Sequence, residues 1–262
     1  MKRFDRLEFE NKQVTPLATS TEYARQEEND RDSHHWLRVA VDERRNGQHE
    51  SALRFYSRAL ELDKSLVNGW VGQVQMLIAL GENPEAELWA RKALELFKNN
   101  ADLLAARAQA LCRTGDLKSA QASCDAAIGQ QGLSSYPWVA RGELMLARKE
   151  DLDEYCFDKA TQLDSDWLIP LEIGMIYQHY GRMTRALSRT RQAVERAPDE
   201  AHCWYRQGVC ELALGLTTAA EKSFARCLQQ APKHDAARRE LHELAQSRKT
   251  IGQFFRRMCR RS

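Results

Sequence analysis

The chain has 262 residues, 43% of them hydrophobic, and its 39 basic and 37 acidic side chains leave a net charge of only +2. So small a net charge argues against nucleic acid as the main partner, and we expect none. With 13 glycines and 6 prolines, the composition excludes a turn-rich β protein and favours an all-α fold.

Residues 1–32 form the first segment, and their isolated apolar residues show no regular period. The opening MKRFDRLEFENKQ carries charges where a secretory signal needs an apolar run, and no apolar run in the chain is long enough to span a membrane. We expect a flexible amino-terminal arm in a cytoplasmic protein, and this arm could also lie along a groove as an internal ligand. Seven cysteines without a CxxC pair favour reduced thiols.

A period of 34 residues begins after the arm and is marked by a glycine followed five positions later by an alanine. The glycines are Gly47, Gly81, Gly115, Gly181 and Gly215. The alanines are Ala52, Ala86, Ala120, Ala186 and Ala220. Each period, as in WLRVAVDERRNGQHESALRFYSRALELDK, predicts two amphipathic helices with the glycine at the turn. One such pair cannot bury both apolar stripes, so the units must stack.

The stretch 201–234 carries the period most completely, with Trp204, Gly208, Gly215, Ala220, Phe224 and Pro232. It resembles the tetratricopeptide repeat, whose pattern runs W-x2-L-G-x2-Y, then A-x3-F, then A and P. The resemblance covers about three quarters of the chain as six units: 33–66, 67–100, 101–134, 135–166, 167–200 and 201–234. It implies an all-α fold, a right-handed solenoid or superhelix of stacked antiparallel helix pairs.

The fourth unit departs from the pattern: it is 32 residues long, has ARKEDLDE at its turn instead of a glycine, and places Asp153 in the alanine slot. The fifth unit has Pro170 at the slot where tryptophan or leucine is usual, and the first turn of a helix tolerates proline. We expect the superhelix to be irregular near 147–170. Neutral drift and a functional kink or partner contact are both compatible with this pattern.

Two segments follow the repeats. Residues 235–247 predict a capping helix that covers the apolar side of the last unit. Residues 248–262 predict a basic amphipathic tail, which could fold back, remain disordered, dock into a partner or make weak contact with an anionic membrane. Its candidate contact residues are Phe254, Phe255, Arg256, Arg257, Met258, Arg260 and Arg261.

The resemblance implies that the first helix of each unit lines a concave groove. The matching partner-binding positions are Leu37, Val41, Val71, Gln75, Gln109, Val139, Glu143, Leu171, Met175, His202, Tyr205 and Val209. They are mainly apolar, and the expected rim is basic: Arg38, Arg44, Arg45, Arg113 and Arg206. Such a groove suits an amphipathic helix or an extended apolar peptide, although the same residues could instead pack between repeats.

These features favour a non-catalytic adaptor or scaffold for protein–protein interaction. The sequence has no HExxH, phosphate-binding glycine loop or nucleophile elbow, so we expect neither an enzyme nor a cofactor. His179 and His202 could approach each other across the groove, but we predict no metal site there. The cysteines of the last unit, Cys203, Cys210 and Cys227, are interpreted as small buried thiols. Alternative functions are a peripheral membrane organiser anchored by the tail and a regulatory subunit of a separate enzyme, and self-association is possible.

Overall fold

The computed structural model describes residues 32–130 and 134–246, and every regular element in this part of the chain is an α-helix. In chain order the helices are α1 (Ser33–Arg45), α2 (His49–Leu62), α3 (Val67–Ala79), α4 (Asn83–Leu96), α5 (Ala101–Thr114), α6 (Leu117–Ile128), α7 (Tyr136–Arg148), α8 (Asp153–Leu163), α9 (Leu168–His179), α10 (Met183–Arg196), α11 (Ala201–Ala213) and α12 (Thr217–Gln230). A further helix, α13, occupies 235–246.

Each helix packs against the next one along the chain, and the first helices of neighbouring units also touch, as α3 and α5 or α5 and α7 do. One continuous apolar cluster runs from Ala40 in the first unit to Cys210 in the sixth. The fold is therefore an all-α solenoid of stacked helix pairs, as the sequence predicts.

The turns between paired helices use the glycines of the period. Gly115 ends α5 with a left-handed backbone, φ 88°, which glycine adopts without the steric cost that a Cβ adds. The next residue, Asp116, accepts a hydrogen bond from the backbone N–H of Ser119 at 3.1 Å and so caps α6. A sharp stop followed by a cap sets the two helices of the unit antiparallel.

Small residues let paired helices approach closely. A Cβ at Gly208 would lie 2.6 Å from the ring of Phe224, which is fully buried. Cys203, Cys210 and Cys227 are also fully buried, which confirms that they are packing thiols. Burial raises the pKa of Cys203 to about 12 and that of Cys227 to about 11, so neither thiol ionises near neutral pH.

The fourth unit keeps its helix pair without the turn glycine. Lys149 takes the left-handed backbone, φ 61°, at the end of α7. Asp153, in the alanine slot, is buried; it accepts a hydrogen bond from the hydroxyl of Tyr177 at 2.7 Å and pairs with Arg185 at 2.8 Å. Both partners belong to the fifth unit, so the irregular residue links two neighbouring units.

The last helix of the described residues, α13, covers the apolar side of the sixth unit. Its buried Ala237 packs in one cluster with Ala220, Phe224 and Cys227. Within residues 32–130 and 134–246, no helix combines the length and the apolar character that crossing a lipid bilayer would need.

Candidate functional site: a cavity closed by the first and last repeats

The first unit contacts the fifth, although three units lie between them along the stack. Arg45 donates hydrogen bonds of 2.7 and 3.2 Å to the two carboxylate oxygens of Asp166, and its guanidinium lies 4.7 Å from the ring centroid of Trp167. Arg44 pairs with Glu172 on α9, and its Nε lies 2.9 Å from the carboxylate. The solenoid is therefore wound tightly enough for its beginning to touch α9.

The first unit also contacts the sixth. Gly47, at the turn between α1 and α2, has φ 74°, and a Cβ there would lie 2.3 Å from the ring of His202. The rings of His49 and His202 pack edge to face with centroids 6.3 Å apart. These contacts, together with those of Arg44 and Arg45, are called the closing contacts below.

The closing contacts turn the concave side of the solenoid into a central cavity of about 400 Å³. The first helices α3, α5, α7, α9 and α11 supply most of its wall, and the α1–α2 turn region adds Arg44 and His49. This volume lies in the range of small-ligand pockets. The wall is built from the helices that the sequence predicts to face the groove.

Half of the twelve predicted partner-binding residues line the central cavity. They are Gln75, Gln109, Val139, Leu171, Met175 and His202. Val139, Leu171 and His202 are buried, whereas Gln75 and Met175 are partly exposed. Side chains from five units are thus brought to one place.

The other predicted residues lie elsewhere. Leu37 and Val41 are on α1, where Leu37 packs on the main core and Val41 is exposed. Val71 is buried in the same core, while Tyr205 and Val209 pack with the cluster under α13. Their contact with a partner stays a prediction.

Glu143 is fully buried and serves the packing between units. It accepts hydrogen bonds from Gln109 Nε2 at 2.7 Å and from Arg113 Nε at 2.8 Å, and the hydroxyl of Tyr136 bonds to Gln109 in turn. A buried carboxylate needs such partners, because an unpaired charge costs several kcal/mol in the interior. Gln109 and Arg113 are therefore held in place where they face the cavity.

The lining is more polar than the apolar groove expected from the sequence. Of the predicted rim arginines, Arg44, Arg113 and Arg206 line the cavity, Arg45 makes a closing contact and Arg38 is exposed on α1. Arg113 and Arg206 lie on inward-facing first helices, α5 and α11, whereas Arg44 reaches the cavity because the end of α1 folds against α9.

Three cavity histidines are held neutral. Burial, followed by the charges of Arg206 and Arg44, lowers the pKa of His49 to about 4. Burial and then Arg206 lower the pKa of His202 well below its usual value, and burial and then Arg113 lower that of His179. His179 and His202 both line the cavity, but the imidazole packed against His202 is that of His49. Across residues 32–130 and 134–246, no group of three His, Cys, Asp or Glu side chains is arranged to hold a metal.

Among the charged and histidine side chains that line the cavity, two are absent from the sequence-based set. Glu172 could have been singled out from the sequence, because it is the one acidic residue of the mainly apolar helix LIPLEIGMIYQH. No sequence pattern points to His49, because it lies on α2, the second helix of its unit, and only the closing contacts bring it to the cavity. The seven predicted tail-contact residues (254–261) and the arm (1–31) lie outside the described residues.

A family model described as tetratricopeptide repeat matches residues 37–101 and 172–246, more than half of the chain. A search of curated proteins finds no match. Among solved structures, yeast Tom70 is similar over 88% of this chain and 51% of its own, with 15% identity and a TM-score of 0.54.

Two bacterial structures are similar over most of both chains. A tetratricopeptide repeat protein from Parabacteroides merdae matches 86% of this chain and 89% of its own, with 17% identity and a TM-score of 0.50. TTC0263, a thermophilic protein of the same type from Thermus thermophilus, matches 81% and 98%, with 17% identity and a TM-score of 0.50. At these identities the likeness supports the fold, and this chain spans only about half of the Tom70 chain.

Proposed function

Because the chain belongs to the tetratricopeptide repeat family, we propose that it is a non-catalytic adaptor that binds a segment of a protein partner in the central cavity. The observation that carries this proposal is the convergence of groove-position side chains from five units on one cavity. A preformed wall of this kind lowers the ordering cost of binding, because its side chains are already held by their neighbours.

The size of the cavity selects the form of the bound segment. A helix about 10 Å across occupies roughly 400 Å³ per turn, so a cavity of about 400 Å³ encloses about one turn. Of the two forms considered from the sequence, an amphipathic helix of several turns would lie mostly outside the cavity. A short extended segment that inserts two or three side chains fits.

The apolar part of the wall supplies the anchor. Leu168, Leu171, Met175 and Ile176 lie on α9 and line the cavity together. Apolar side chains buried in a preformed pocket dominate the affinity of small interfaces, while polar neighbours set orientation. Affinity for one short segment should therefore lie in the micromolar range.

Filling the cavity tests this proposal. Met175→Trp places a larger ring in the lining, whereas Val41→Trp adds the same ring at the equivalent repeat position on α1, where Val41 is exposed and does not line the cavity. Tagged full-length chains would be used to recover partners from cell extract, with folding checked by circular dichroism and thermal unfolding. Overlapping peptides of each recovered partner would then be titrated by fluorescence anisotropy.

The wild type and Val41→Trp should retain the partner and its peptide, and Met175→Trp should weaken the peptide by at least tenfold. If all three folded chains bind the partner and its peptide equally, the cavity is not the binding site. Loss with Val41→Trp alone would move the partner to the exposed side of α1 that carries Val41.

A further inference from the structure

Three arginines line the central cavity, and two of them face carboxylates. Arg44 pairs with Glu172, and Arg113 pairs with Glu143 at 2.8 Å. Each of these cations is therefore neutralised by an acidic residue of the protein itself. These two ion pairs together therefore add no net charge to the cavity.

Arg206 is different. Its terminal nitrogen donates to Gln178 Oε1, a neutral amide, and its Nε is buried without a hydrogen-bond partner among the described residues. In that same part of the chain, Arg206 forms no ion pair with a carboxylate. Burial lowers the pKa of this guanidinium, which is the direction expected for a cation without a counter-ion.

The neighbours of Arg206 do not compensate its charge. His49 and His202 line the same cavity and stay neutral near pH 7, with Arg206 the leading charge that lowers the pKa of each after burial. Gln178 is held by its own hydrogen bond to the sulfur of Cys210 at 2.7 Å. The cavity thus keeps one unneutralised positive charge, and a guanidinium out of water favours an anion with two oxygens in one plane.

We propose that the central cavity binds the carboxylate of a ligand with an apolar body, with Arg206 as the partner of the carboxylate and the apolar face of α9 as the partner of the body. The inference rests on the proposed use of the cavity for binding and adds the chemistry of the group that enters it. A single carboxylate matches a single uncompensated cation, whereas a phosphate dianion would bring excess negative charge. Neutral imidazoles of His49 and His202 can donate further N–H groups to the same oxyanion.

The chemistry can be tested without knowing the natural ligand. The full-length chain is titrated at constant ionic strength with 4-phenylbutyrate and with 4-phenylbutyramide, which has the same shape and no charge. Binding is followed by heteronuclear NMR and isothermal calorimetry. A ligand of about a dozen heavy atoms and ordinary efficiency should bind in the millimolar range.

The acid should bind at least tenfold more tightly than the amide and should shift the signals of α9 and α11. Arg206→Gln should bind acid and amide alike, and Arg206→Lys should keep a preference for the acid. Equal binding of both probes by the wild type, binding of neither, or an unchanged preference in Arg206→Gln would overturn the inference. The wild-type comparison of acid and amide stands even where a variant does not fold.

Two further pairs of probes separate the sources of a carboxylate. The tripeptide acetyl-Ala-Ala-Phe is compared with its carboxyl-terminal amide, and acetyl-Ala-Glu-Phe-amide with its glutamine counterpart. If the first acid binds more tightly than its amide, the natural ligand group is the carboxyl terminus of a chain. If the glutamate peptide binds more tightly than the glutamine peptide, it is an acidic side chain. If only phenylbutyrate binds, it is a free organic acid. If the acid binds but Met175→Trp loses no partner, this carboxylate site stands and the adaptor function is excluded. If the acid does not bind but Met175→Trp loses its partner, the adaptor function stands and the carboxylate site is excluded.

Discussion

Arg45, at the end of α1, forms a two-pronged ion pair with Asp166, which lies 121 positions later in the chain. Repeats of a solenoid ordinarily touch only their neighbours, so this pair reports how tightly the superhelix is wound. Both side chains are about one third exposed. The pair and the other closing contacts convert a groove into a cavity.

Breaking this ion pair should loosen the closure without unfolding the chain. Arg45→Met and Asp166→Asn should each lower the free energy of unfolding by about 1 kcal/mol, because partly exposed pairs and cation–π contacts contribute little individually. A double-mutant cycle by urea unfolding should give a coupling of about 0.5–1 kcal/mol. Hydrogen exchange should rise in α1 and α9 together. Zero coupling with unchanged exchange would mean that the two ends do not meet in solution.

Gly47 offers a sharper test, because a matched glycine exists. Gly47 and Gly215 have nearly the same backbone, φ 74° and 73°, but a Cβ meets the ring of His202 only at Gly47 and meets nothing within 4 Å at Gly215. Gly215→Ala should cost about 1–2 kcal/mol from backbone conformation alone. Gly47→Ala should cost measurably more in chemical denaturation, since the ring must also move. Equal losses would count against the contact.

His49 should make the protein less stable in mild acid. The unfolded chain takes up a proton with a pKa near 6.5, whereas the folded side chain stays neutral until about pH 4. Protons therefore favour the unfolded state as the pH falls through this window, and His49 alone removes about 2 kcal/mol of stability between about pH 7.5 and pH 5. His49→Gln should reduce the loss of unfolding free energy between about pH 7.5 and pH 5, as measured by urea unfolding at both pH values. The neighbouring substitution Gln48→Ala, which titrates nothing, should leave it unchanged.

Asp153 should behave as half of a pair with Tyr177. Asp153→Ala restores the alanine of the other units but leaves the buried hydroxyl of Tyr177 without its acceptor, which should cost about 1–3 kcal/mol. Adding Tyr177→Phe removes the stranded hydroxyl and should recover most of that loss, because the ring can still pack against Phe157. Thermal and urea unfolding measure both. A double variant no more stable than Asp153→Ala would exclude this role for the hydroxyl.

Lys149 should be a site of removable strain. It holds a left-handed backbone that glycine adopts more easily, so Lys149→Gly should raise the free energy of unfolding by about 0.5–1 kcal/mol. Lys149→Ala keeps the Cβ and should give no such gain. A stabilisation by alanine as large as that by glycine would assign the effect to the lysine charge instead.

The sequence predicted the helix pairs well, because local chemistry sets them. Gly115 at a left-handed turn, Phe224 against Gly208 and the fully buried Ala220 follow from a period of 34 residues. The departures in the fourth unit were visible too, but their reason was not. Lys149 copies the backbone of a glycine, and Asp153 pairs with residues of the next unit.

The inward-facing helices were likewise predicted, and six of the twelve expected contact residues reach the cavity. The sequence by itself determined the repeat, the pairing of helices and which helices face inward, since each depends on residues close along the chain. Only the tertiary structure decided that Arg44, Gly47 and His49 meet α9 and α11. The reason is that small rotations between successive units add up along the stack, and no local pattern encodes their sum.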